Sequence, residues 1–165
     1  MNAGVVFPHF PIPQHLAYEF LGTFARCEYA LKATRYARGG RGNSVEANWD
    51  AFAQDMNWHF ARIKDRGFVQ AVTFYLNEPP RKQVLLGGRV QFRNAPVDPN
   101  LSKAEKVLLL VRRVRNNLFH GAKVWSVEYT NRQRDICLLQ SGLVILRHAI
   151  HIDQEVGIAY EHGAF

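Results

Sequence analysis

Apolar residues recur every three or four positions over most of this chain, the spacing that gathers them on one face of a helix. Leu16, Phe20, Phe24, Cys27 and Leu31 follow that spacing and predict a first helix from about Gln14 to Ala37. Pro8, Pro11 and Pro13 give it an extended lead-in. Gly39, Gly40 and Gly42 end it, and Asn43-Ser44 offer a cap for the second helix. Trp49, Phe52, Met56 and Phe60 form the next stripe, within a helix predicted from Val45 to Arg66. Gly67 interrupts, and a short helix from Phe68 to Leu76 is closed by Pro79-Pro80.

Residues 77–101 are the least regular. Val84-Leu85-Leu86, Gly87-Gly88, then Val90 and Phe92 read either as a small hairpin or as an extended covering loop. Asn94, Pro96, Asp98, Pro99 and Asn100 make a turn-rich connection. Ser102 and Glu105 form a capping box, which opens a helix carrying Val107, Leu108, Val111, Val114 and Leu118, with Gly121 as its stop. A last long helix begins after Thr130 and runs to about Tyr160, its buried face marked by Ile136, Leu139, Leu143, Leu146 and Ile150. The expected fold is all-α: one domain, residues 1–165, a bundle of four to five helices with an irregular or short hairpin insertion before the fourth stripe.

Composition supports a packed single domain. The chain has 165 residues, 47% apolar and 21% charged. Its longest apolar run, Val107 to Val111, is five residues, far short of the ~18 of a membrane span. Met1–Gln14 holds three prolines and no Lys or Arg, unlike a secretory signal. Cys27 and Cys137 are too few for a disulfide framework or a four-ligand metal site, and are expected as reduced, buried thiols in a cytoplasmic protein.

Charge adds a direction. The formal net charge is +7, and 15 of the 21 basic residues are arginine. Arginine's planar fork of donors matches phosphate oxygens, and a field of this sign attracts polyanions. A nucleic acid, a nucleotide or an acidic protein all fit; charge does not separate them.

Chemistry concentrates on the fourth stripe. Arg112-Arg113-Val114-Arg115-Asn116-Asn117-Leu118-Phe119-His120-Gly121 lies near the end of its helix. Five steps separate Arg115 from His120, which puts them roughly 140° apart on an ideal helix. They share no stripe, yet both can border a groove if the helix frays before Gly121 or a second subunit closes the site.

The sequence Arg115, Asn116, three residues, His120 resembles the signature of the HEPN superfamily, an arginine and a histidine four to six residues apart with asparagine after the arginine. The helical setting agrees, with the motif on a late helix followed by one more long one. The segment Phe24 to Lys32 is similar to first helices of bacterial members. The resemblance covers most of the chain as architecture and about six residues as motif.

What the resemblance implies is a metal-independent endoribonuclease, without cofactor, acting as a homodimer whose two motifs meet in one composite cleft. The ribose 2′-hydroxyl attacks the adjacent phosphorus, leaving a 2′,3′-cyclic phosphate and a 5′-hydroxyl. His120 suits acid–base work near neutrality, Arg115 the phosphoryl charge, and Asn116 the orientation of phosphate or imidazole. The setting implied is toxin–antitoxin or antiviral defence, with RNA as substrate and an antitoxin or other regulatory protein as partner. Some family members do not cleave, so the alternative is a non-catalytic module binding RNA, a nucleotide or a protein.

Other residues are candidates for support. Arg112 and Arg113 either line the cleft for RNA phosphates or form a solvated face, and Lys123 could reach the same backbone. Glu28 either pairs with Lys32 on the surface or turns inward to orient Arg115. His148 and His151, with Asp153 and Glu155, superficially suggest a metal site, but no second ligand pair accompanies them, so an ordinary polar helix face is expected. Trp49 and Trp58 sit at core spacing rather than as base-stacking platforms. Gly39 to Gly42 reads as a helix-breaking loop, not a phosphate cradle.

Overall fold

A computed structural model of the chain describes residues 12–119 and 131–163. Their order is α1 (Gln14–Lys32), β1 (Ala37–Gly39), β2 (Val45–Ala47), α2 (Trp49–Phe60), α3 (Arg66–Asn77), β3 (Lys82–Leu86), β4 (Arg89–Arg93), α4 (Lys103–Phe119), α5 (Arg132–Ile150) and α6 (Gln154–His162). The chain is mostly helical, with six helices among the described residues and two small antiparallel sheets, so it is not purely all-α.

Apart from Ile136, which is half-buried, the predicted stripes are the observed core. Phe20, Phe24, Cys27, Leu31, Phe52, Phe60, Val107, Leu108, Val111, Leu139 and Leu146 are all buried. α1 packs on α5 and α6, α2 on α4, and α3 on α5. A side chain at Gly142 would meet Tyr75 Oη at 2.6 Å and the Phe20 ring at 2.7 Å, so α5 crosses α1 and α3 where only glycine fits. Tyr75 donates there to the Leu138 carbonyl at 2.7 Å.

Element boundaries differ from expectation wherever a polar cap interrupts an apolar stripe. α1 stops at Lys32, five residues early, because the chain turns to bury Tyr36 edge-on against Phe52, with ring centroids 5.2 Å apart. Ala37–Gly39 then pairs with Val45–Ala47, where a helix-breaking loop and the start of the second helix were expected. Asn48 accepts from the Ala51 amide and starts α2. α2 ends at Phe60, and Asp65 caps α3 by accepting from the Phe68 amide. Gly67 therefore lies inside the first turn of α3 rather than breaking a helix.

The last predicted helix is two. Asp153 is buried, accepts from the Val156 amide and pairs with Arg35, so the chain restarts as α6 with its axis bent 116° from α5. Both sequence signals before α4 are met. Gly87 and Gly88, at φ of 55° and 72°, make the two-residue turn of the β3–β4 hairpin. The capping box closes with Ser102 N–H to Glu105 Oε2 at 2.8 Å and Glu105 N–H to Ser102 Oγ at 3.3 Å. Cys27 is buried and its thiol is pushed up to about 12 by desolvation; Cys137, expected buried, is half-exposed. Among the described residues no single helix is long and apolar enough to cross a membrane.

Candidate functional site

The last turns of α4 sort their side chains onto two faces. Arg112, Arg115 and Asn116 stand three and four residues apart and line a cleft of about 230 Å³. Its second wall is the end of α1, with Phe24, Glu28 and Lys32; its third is the β1–β2 hairpin, with Arg38, Val45, Glu46 and Ala47; Trp49 forms part of the floor. Four cations and two carboxylates line it, so the cleft carries a positive surplus.

Arg115 is held in place from several sides. Its Cζ lies 5.4 Å from the centre of the Phe24 ring and 5.0 Å from that of Phe119. Phe24 is itself stacked on buried Trp49, centroids 5.2 Å apart, so the guanidinium rests on a ring fixed by the core. One Arg115 nitrogen donates to Asn116 Oδ1 at 3.0 Å, and another lies 3.8 Å from Glu28 Oε2. Ring contacts of this kind contribute ~0.5–1 kcal/mol each at partly exposed sites, and a solvated ion pair about 0–1. The rings and the asparagine therefore set the geometry, and Glu28 tunes it. The Arg115 side chain keeps 30% of its surface exposed, enough to meet a ligand.

Glu28 lies near both of its expected partners, since its other oxygen is 3.8 Å from Lys32. Arg112 borders the cleft but is engaged by Asp50 at 2.9 Å. Arg38 pairs with Glu46 at 3.1 Å across β1 and β2. Sequence reasoning missed Arg38, Glu46 and Phe24 as parts of this site. The hairpin strands are three residues each, too short for alternation to show, and Phe24 reads as an ordinary core position.

Arg113 is a correction. It does not line the cleft: it is half-buried and donates to the carbonyls of Pro80 at 3.1 Å and Ala95 at 2.9 Å. Burial lowers its pKa. It shares a face with Asn117, whose amide donates to the Arg81 carbonyl at 2.8 Å. The signal was legible: Arg113 stands three residues after Leu110 and four before Asn117, both buried.

The remaining candidates stay apart from the cleft. His148 Nδ1 meets the Val144 carbonyl at 2.8 Å, and His151 Nδ1 and Nε2 meet the Arg147 carbonyl and Glu161. No group of histidine, cysteine and carboxylates suited to a metal occurs among the described residues. Trp49 is core as expected, whereas Trp58 is exposed under the Arg62 guanidinium, Cζ 3.8 Å from the indole centre. His120 and Lys123 lie outside the described residues.

Compared with family models, curated proteins and solved structures, the chain matches none.

Proposed function

We propose that this chain is a HEPN-type endoribonuclease that cuts RNA by transesterification without a metal, as a homodimer with a composite cleft. The observation that carries the reading is Arg115: a guanidinium braced on two rings, clipped to Asn116 and open to a cationic cleft, five residues before His120. A preorganised cation at the position where phosphoryl charge develops stabilises the transition state with little reorganisation. The 2′-oxygen forms the new P–O bond as the bond to the 5′-oxygen breaks. One imidazole takes the 2′-hydroxyl proton and another returns a proton to the leaving 5′-oxygen. Two copies of His120 in a dimer supply both roles. Control by an antitoxin or other regulatory protein, in a defence setting, belongs to the same proposal.

The test is cleavage of a labelled RNA in EDTA by wild type and His120→Ala, with product ends identified. The expected result is cyclic-phosphate ends from wild type and a rate about 10²–10⁴-fold lower for the variant. Equal cleavage by both overturns the assignment of His120. RNA bound by a confirmed dimer and never cut points to the alternative, a non-catalytic module using the same cleft.

A further inference from the structure

The β3–β4 hairpin has a composition unlike the rest of the surface. Between Glu78 and Asp98 there is no acidic residue, while Arg81, Lys82, Arg89 and Arg93 are all cationic. Among the described residues none of the four pairs with a carboxylate, whereas six arginines elsewhere do. Register divides the hairpin into two faces, because residues opposite each other share a side and successive residues alternate. Lys82↔Arg93 and Leu86↔Arg89 place three cations on one face. Gln83↔Phe92 and Leu85↔Val90 leave the other uncharged. Near the tip of that face Leu85 is 71% and Val90 62% exposed, an aliphatic pair standing in water.

The base of the hairpin is fastened to α4. Arg113 ties down the carbonyls of Pro80 and Ala95 on either side of it, and Asn117 ties down that of Arg81. Whatever sits on the hairpin is thereby set against the helix that carries Arg115. Among the described residues β3 and β4 pair only with each other, so the sheet has edges able to take another strand.

We propose that this hairpin is the docking surface for an extended acidic segment of another protein, which adds as a third strand. Its apolar side chains would cover Leu85 and Val90, and its carboxylates would meet Lys82, Arg89 and Arg93. Charge selects this occupant. A second copy of the hairpin would bring like cations opposite one another, a pairing that destabilises a sheet. RNA suits the charge but not the exposed aliphatic pair, since Leu85 and Val90 offer no ring on which a base can stack and Phe92, on the same face, is half-buried. The inference stands independently of the ribonuclease reading.

The experiment is selection of a displayed library of random twelve-residue peptides on the full chain, with counter-selection on Leu85→Ser/Val90→Ser. Both residues are exposed, so the double variant should keep the wild-type melting temperature. Enriched sequences are expected to alternate acidic and apolar residues with a period of two. A labelled peptide of enriched sequence should bind the double variant, and separately Arg89→Glu, at least tenfold more weakly than wild type. Should the double variant fail to fold, the surface substitution Arg89→Glu decides alone. Equal enrichment on the variant overturns the proposal, as do selected sequences without acidic residues or with helical spacing. So does self-association of the wild type that the serine variant abolishes, which assigns the face to a second copy. Binding of a single-stranded RNA oligomer, lost in the serine variant, would assign it to nucleic acid.

Discussion

Two faces of one helix use the same residue types for opposite ends. On one face of α4, Arg113 and Asn117 spend their donors on the backbone carbonyls of Pro80, Ala95 and Arg81. On the other, Arg115 donates to its neighbour Asn116 and leans on carboxylate and rings at longer range. The first pair satisfies backbone carbonyls in part-buried bonds, so its removal is felt as lost stability. The second pair is held but not consumed, which is what a group awaiting a ligand requires. An Arg-Arg-x-Arg-Asn-Asn string thus contains two separate devices, told apart only by which stripe of the helix each residue occupies.

The largest expected effect separates these faces by crossing over. Arg115→Ala should lower RNA cleavage about 10²–10³-fold and leave the unfolding free energy nearly unchanged. Arg113→Ala should do the reverse, costing about 2 kcal/mol in urea denaturation because charged donors to two carbonyls are lost, with cleavage per folded molecule close to wild type. Steady-state cleavage and denaturation curves on the same two proteins give the answer. If both variants lose activity equally at full stability, the faces are not distinct.

The neighbouring asparagines repeat the contrast at smaller scale. Asn117 is 4% exposed, and Asn117→Ala strands the Arg81 carbonyl, at a cost of about 1–2 kcal/mol. Asn116 is exposed, and Asn116→Ala frees one side of the Arg115 guanidinium. That loss of orientation should lower kcat about tenfold or more while KM moves little.

How much of this was legible depends on range. Stripes such as Phe20-Phe24-Cys27 and Val107-Val111-Val114 are local and periodic, and they appear in the structure as core. The Ser102–Glu105 box and the Gly87-Gly88 turn are local too, and both formed. What failed depended on distant partners or on caps hidden inside a continuing stripe. Nothing near Asp153 announces Arg35, so the bend between α5 and α6 was invisible. Asn48 and Asp65 sit within runs whose apolar spacing continues past them, and a cap inside a continuing stripe looks like an ordinary polar position. For the site, Arg115, Asn116 and Glu28 line one cleft, but the wall built by Arg38 and Glu46 follows from a hairpin that local spacing had divided between a helix-breaking loop and the start of the second helix.

Glu28 offers a finer test of the open face. It lies 3.8 Å from both Arg115 and Lys32, so Glu28→Gln releases two cations toward the cleft without removing the rings under Arg115. An exposed pair contributes about 0–1 kcal/mol, which limits any gain in RNA affinity to roughly fivefold. A less constrained guanidinium should lower kcat by a few-fold. Tighter binding with slower turnover marks a positioning role, whereas a change in melting temperature alone would return Glu28 to a surface ion pair.

The smallest effect lies at the start of α4, remote from both faces. Hydrogen bonds from Ser102, then Gln54, hold the Glu105 carboxyl below its ordinary range. A carboxyl depressed in the folded state adds stability that is fully present above its unfolded pKa of about 4.3 and is lost as pH falls through the folded value. Glu105→Gln should therefore cost about 1 kcal/mol or less at pH 7, the usual scale of a helix cap. The gap to wild type should shrink as denaturation curves are taken into acid below pH 4. Cleavage at neutral pH should not change, because the cap fixes where α4 begins and not how its last turn presents Arg115. A shift in activity matching the loss of stability would mean instead that the open face depends on the whole helix, and that the two faces of α4 act as one.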